Sequence, residues 1–236
     1  GMFTKGGVIP AEILGIFGGM LVIFVTGLID DIVDLSPSAK LVGQIVAAAI
    51  VVWTGTRIDY VGNPIGGGLI DIGTLAVPAT LLYIIGFTNV INFIDGLDGL
   101  AAGISTIAAV SMLVVAIGLN RLDAAALAVA LIGGSLAFLR FNFNPASVFM
   151  GDSGALLLGF TLSTISLLGI MRSTATIALL VPLLILGVPI LDAFSAVLRR
   201  VRGKRPIQEA DRGHLHHRFL NRGFTQRQTV VIVWIW

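Results

Sequence analysis

Cysteine is absent from the chain and charged residues are scarce, and each shortage narrows the answer. Without cysteine there is no disulfide framework and no thiolate metal site, so any metal must take oxygen or imidazole ligands. Only 12% of residues are charged, against about a quarter in soluble proteins, while 56% are hydrophobic and the mean hydropathy is +0.98. That composition excludes a soluble domain. The long apolar runs lack the period-two alternation of barrel strands, which leaves helices as the spanning elements. The start does not read as a signal peptide, because Lys5 is a lone charge and the apolar stretch after it is of spanning length.

What is present reads as an all-α, polytopic transmembrane bundle, one integral membrane domain over residues 1–236. Seven complete spans are expected, at 8–29, 39–55, 75–94, 100–119, 122–139, 155–170 and 175–198. The second is short, and Pro182 and Pro189 interrupt the seventh. The Gly/Pro-rich segment 57–73 alternates about a central turn and predicts a small extracytoplasmic hairpin. The last apolar run, 230–236, is far short of the ~20 residues a span needs, so the chain is expected to be a piece of a longer protein.

Counting spans puts loops 30–38, 95–99, 140–152 and 199–228 on one side. Nine of the fifteen basic residues fall in loop 199–228, which by the positive-inside rule makes that side cytoplasmic. Asp30, Asp31, Asp34, Asp95, Asp98 and Asp152 then face the same compartment. The acids were not used to set the orientation, so their convergence tests the span count independently.

Four stretches carry the chemistry. Asn89, Asn92, Asp95 and Asp98 stand at steps of three, with Gly96 and Gly99 permitting a turn. Polar groups at membrane depth are costly and usually serve a site. Interhelical amide pairing is the plain alternative for the asparagines, and an EF-hand is excluded because its later ligands, ending in a Glu, are missing. Asp30, Asp31 and Asp34 close the first span. If the helix continues through them they share a face, and their repulsion calls for a cation, with Mg²⁺ suited to hard oxygen ligands. Phe149 and then Asp152-Ser153-Gly154 open a span, where free amides and the helix dipole favour a phosphate and an aromatic is at hand to stack on a base. The three histidines, His214, His216 and His217, lie beside Arg218 and read as donors to a diphosphate. Together these parts suit phosphoryl transfer, which needs chiefly positioning and charge neutralisation.

Asp30-Asp31-x-x-Asp34, Asn89-x-x-Asn92-x-x-Asp95-Gly96-Leu97-Asp98-Gly99, Phe149-Met150-Gly151-Asp152-Ser153-Gly154 and His214-x-His216-His217, in that order, resemble the motif set of the polyprenyl-phosphate N-acetylhexosamine-1-phosphate transferases. The resemblance covers nearly the whole chain. It implies transfer of a sugar-1-phosphate from a UDP-N-acetylhexosamine to undecaprenyl phosphate, with Mg²⁺ (or Mn²⁺) as cofactor and UMP as product, at the cytoplasmic face of a bacterial inner membrane. It also implies ten or eleven spans in the whole protein. Asp34 and His214-Leu215-His216-His217-Arg218 are similar to the branch that uses UDP-GlcNAc, since the muramoyl-pentapeptide branch typically has Lys where Asp34 stands.

By the same resemblance Asp152 is the principal metal ligand, with Asp30, Asp31 or Asp95 completing the site. Asp30 or Asp95 deprotonates the lipid phosphate, and Asp98 and Phe149 hold uracil. Asn89 and Asn92 contact substrate, and His214, His216, His217 and Arg218 bind the diphosphate or sugar. The bilayer is a partner, nucleic acid is not, and a homodimer is left open. Two alternatives stay beside this reading: a phospho-N-acetylmuramoyl-pentapeptide transferase and, from a different class, an ion-coupled transporter. The transporter predicts acids near mid-bilayer and not at span ends.

Overall fold

The computed structural model describes residues 9–63, 66–169 and 219–235, with isolated positions at 187, 191, 195 and 198. The described chain is helical apart from one hairpin: α1 (Ala11–Val33), α2 (Pro37–Trp53), β1 (Tyr60–Gly62), β2 (Leu69–Asp71), α3 (Ala76–Ile94), α4 (Leu100–Gly118), α5 (Leu122–Asn142), α6 (Gly151–Gly169) and α7 (Gln226–Ile235). Five helices among the described residues, α1 and α3 to α6, are long and apolar enough to cross a membrane, and α2, at 17 residues, is shorter. The protein is thus a multi-pass helical membrane protein. Six of the seven expected spans have their helix, and the seventh, 175–198, lies outside the described residues except at those four isolated positions.

The central helix is α6. Two thirds of its apolar window (67%) is buried, against 22% for α5, because α1, α3, α4 and α5 all pack on it. In lipid, helices associate by close packing and not by hydrophobic drive, so small residues decide how near they come. A Cβ at Gly27 of α1 would stand 2.4 Å from Ser153 Cα of α6, and one at Gly159 of α6 would stand 2.7 Å from Thr88 Cα of α3. At both places backbone meets backbone. Ile16, Ile23, Ile84, Ile91 and Phe160 fill the core between these crossings.

The hairpin expected in 57–73 is present. Strands β1 and β2 pair antiparallel, with Tyr60 opposite Asp71 and Gly62 opposite Leu69. Thr80 of α3 ties this end to the bundle by accepting from the Ile58 amide at 2.9 Å.

Among the boundaries that differ from the sequence reading, two move the site. Helix α1 runs on to Val33 and then stops, because Asp34 takes a left-handed conformation (φ 54) while its amide still bonds Asp30 O. Asp34 therefore leaves the helical face it was expected to share with Asp30 and Asp31. Helix α5 continues to Asn142, three residues past the expected end, which fixes Asn142 at its last turn.

Candidate active site

The C-terminal ends of α1, α3 and α5 and the N-terminal ends of α2, α4 and α6 meet at one end of the bundle, and the acids lie there at the end of α1, in the turn between α3 and α4 and at the start of α6. Asp30, buried, Asp31, exposed, and Asp152, half-buried, offer carboxylate oxygens that all lie within 4.8 Å of one another. That donor set, oxygen only and held by two helices, fits a hard divalent cation.

Each of these acids also has a task within the chain. Asp30 Oδ1 accepts from the Leu35 amide at 2.8 Å and so shapes the turn after α1. Asp31 accepts from the Asp152 amide at 2.7 Å and from the Ser153 amide at 3.1 Å, capping α6 across the bundle. The amides expected to meet a phosphate at this helix start are therefore spent on Asp31. Gly151, at φ +63, makes the contact fit, since a Cβ there would lie 2.6 Å from Asp31 Oδ2. Missing from the expected set is Lys40 of α2, whose Nζ lies 2.6 Å from Asp30 Oδ2 and 2.9 Å from Asp152 Oδ2. A lone lysine one turn inside an apolar helix was the signal available in sequence.

Beside the carboxylates opens a pocket of about 400 Å³, lined by Asn92, Asp95, Asp98, Asn142, Phe149 and Asp152 among others. Its volume is in the range of small-molecule sites. Burial pushes the Asp95 carboxyl up to about 7, and the nearby charges of Asp152, Asp98 and Asp31 push the same way. Asp98 accepts from Asn144 Nδ2 at 2.9 Å and from the Ala146 amide at 3.2 Å, which holds the 143–150 loop over the α3–α4 turn. Phe149 is 76% exposed, with its ring free of the core at the rim of the pocket.

Asn142 was not singled out from sequence. Buried at 3% exposure, it accepts from the Gly99 amide and donates to Val148 O, both at 2.9 Å, and so joins the Asp95–Asp98 turn to the Phe149–Asp152 segment. The loop is held again from α7, where Arg227 Nε donates to Asn144 O at 2.6 Å and Asn144 Nδ2 to Gln226 Oε1 at 2.8 Å.

Asn89 is placed elsewhere. Its Nδ2 donates to Gln44 Oε1 at 2.6 Å and to Ile85 O at 2.8 Å, and Gln44 Nε2 donates back to Asn89 Oδ1 at 3.3 Å. It forms an amide pair between α2 and α3 and is not among the residues lining the pocket, where it was expected to contact substrate. Asn92, one turn on, does line it. His214, His216, His217 and Arg218 lie outside the described residues.

Residues 13–170 match the profile of glycosyl transferase family 4. The chain belongs to that family. Among its relatives, a probable undecaprenyl-phosphate N-acetylglucosaminyl 1-phosphate transferase of Bacillus subtilis (strain 168) is 38% identical over 235 residues, covering 100% of this chain and 66% of the relative. A decaprenyl-phosphate N-acetylglucosaminephosphotransferase of Mycobacterium leprae (strain TN) is 36% identical, covering 99% of this chain and 64% of the relative. A phospho-N-acetylmuramoyl-pentapeptide-transferase of Thermoanaerobacter sp. (strain X514) is 34% identical, covering 85% and 62%. The chain of this family 4 member thus spans 62–66% of the length of these relatives.

Proposed function

We propose that the protein transfers N-acetylhexosamine-1-phosphate, with GlcNAc as the sugar, from a UDP-sugar to undecaprenyl phosphate. A lipid phosphate oxygen attacks the sugar-bearing phosphorus, the bond to the bridging oxygen of UMP breaks, and UMP leaves with that oxygen. The observation that carries this reading is the juxtaposition of a three-carboxylate cluster with a polar pocket at one end of an apolar bundle. A phosphoryl donor with a long apolar acceptor needs both. The activities for which the Bacillus and Mycobacterium relatives are named support the sugar and the prenyl phosphate. The family match agrees with the class of reaction.

Within the site, Asp152, Asp30 and Asp31 would hold Mg²⁺, with Asp95 beside them; the cation, when bound, neutralises phosphate charge. Asp95, raised to about 7, suits a group that takes a proton from the lipid phosphate near neutral pH, with Asp30 as the other candidate. Asn92 and Asp98 face the pocket where the nucleotide would lie, and exposed Phe149 would stack on uracil. The histidines and Arg218 complete the diphosphate site in this reading, and loops 30–38, 95–99, 140–152 and 199–228 form one catalytic surface of a single membrane domain, facing the cytoplasm of a bacterial inner membrane.

The test is UMP release in detergent from a panel of UDP-sugars with undecaprenyl phosphate and Mg²⁺, against a control without lipid. Lipid- and Mg²⁺-dependent UMP from UDP-GlcNAc is the expected result. Turnover only with a UDP-muramoyl peptide would keep the reaction class and move the protein to the branch of the Thermoanaerobacter relative. No UMP from any sugar, in folded protein, would overturn the reading in favour of transport.

A further inference from the structure

Lys40 is a charged residue one turn inside an apolar helix, and the transfer reaction as read above makes no use of it. Its backbone is fixed: the Lys40 amide donates to Ser36 O at 3.1 Å, and Ser36 Oγ caps the start of α2 by accepting from the Ala39 amide. Its ammonium meets Asp30 Oδ2 and Asp152 Oδ2, on two of the three carboxylates whose oxygens cluster within 4.8 Å. The third, Asp31, is occupied by the amides of Asp152 and Ser153. The oxygens left to the ammonium are therefore the ones a cation would need. A lysine ammonium is a compact charge on a flexible four-carbon stem, with donors that can be re-aimed. It can neutralise the repulsion between Asp30 and Asp152, but a divalent ion on the same oxygens would put like charge against it.

We propose that Lys40 is the built-in competitor of the divalent cation: it holds Asp30 and Asp152 together while no cation is bound, and it is displaced from them when one binds. This inference rests on the reading that these acids take a divalent cation. Its consequence is a site kept assembled between turnovers at the expense of cation affinity.

The experiment is Mn²⁺ binding to the purified full chain in detergent, without nucleotide or lipid, followed by electron paramagnetic resonance of free Mn²⁺. Lys40→Met is expected to bind Mn²⁺ about tenfold more tightly than wild type, the size of a typical coupling between two sites. Unchanged or weaker binding by the folded variant would overturn the proposal, because Lys40 would then be organising the acids and not competing for them. A second measurement needs no variant: Mg²⁺ is expected to raise the rate at which Lys40 of wild-type protein is acylated by an amine reagent, read by mass spectrometry. A rate unchanged or slowed by Mg²⁺ would overturn it even if Lys40→Met failed to fold. Wild type that binds no Mn²⁺ would instead sink the cation reading, and this inference with it.

Discussion

Four threonines inside the spans and the polar side chains at the acid end are satisfied in opposite ways. Within the helices Thr26, Thr88, Thr106 and Thr161 each donate to the carbonyl four residues back, at 2.7–2.8 Å. These bonds satisfy a hydroxyl in lipid without touching another element. At the acid end the partners are far apart in sequence: Lys40 with Asp152, Asp31 with the Asp152 amide, Asp98 with Asn144, and Asn142 with Gly99. Local bonds let a helix exist anywhere in the membrane, whereas distant ones fix which helix ends meet. A site can be built only from the second kind.

The contrast is broken most severely by removing a distant partner that is also a reacting group. Asp152→Asn should lower Mg²⁺-dependent UMP release by at least about 100-fold, the scale seen when a preorganised charged or polar group is lost from a site. Full turnover by this variant would remove Asp152 from the metal site.

Next in size is Gly27→Leu, which forces α1 away from Ser153 and so separates Asp31 from the amides it caps. Overpacking of this kind costs about 1–3 kcal/mol, and the expected readings are a lower melting temperature in detergent together with weakened Mn²⁺ binding. A lowered melting point with Mn²⁺ affinity intact would show that the α1–α6 approach is not what assembles the acids.

Asn142→Ala leaves the buried Gly99 amide without its acceptor, a loss of about 1–3 kcal/mol. The pocket should loosen, so KM for the UDP-sugar should rise by roughly tenfold with a smaller change in kcat.

The acidic limb of the pH profile tests Asp95. A carboxyl raised to about 7 is protonated below that pH, so kcat/KM should fall by roughly tenfold per pH unit below pH 7 if the ionised form is needed. The sign for stability is the reverse. The folded state holds this proton more tightly than the unfolded chain, so the contribution of Asp95 to stability falls as pH rises from the ordinary carboxylate range to about 7. An Asp95→Asn variant that kept the same limb would move the role to another acid.

Smallest should be Thr161→Val, which deletes a hydroxyl bonded, among the described residues, only to Leu157 O of its own helix. Polar contacts inside membrane helices average about 0.6 kcal/mol even between helices, so melting temperature and activity should barely change. A large effect would mean that local bonds matter as much as distant ones.

Much was legible in the chain. Span-length apolar runs locate the helices because each backbone must satisfy its own hydrogen bonds in lipid, and alternation then delivers Asp30, Asp31, Asp95, Asp98 and Asp152 to one end. The hairpin in 57–73 was legible from its alternation and its Gly/Pro turn. What each polar residue does there was not legible, since that depends on which neighbour reaches it first. Asn89 and Asn92 look alike at a step of three, yet Gln44 of the neighbouring helix takes the first and the pocket receives the second. Asp34 looked equivalent to Asp31, but the chain turns left-handed there and carries it away.

The sequence by itself determined a helical membrane protein, the gathering of its acids at one end of the spans and the family motifs, because hydropathy, span alternation and motif order are properties of the chain alone. Only the tertiary structure decided that Asp31 caps α6, that Lys40 stands between Asp30 and Asp152, and that Asn142 ties two loops together. Those pairings depend on how closely α1 approaches α6 and where α5 ends. That approach is set by backbone contact at Gly27, and no local pattern reports it.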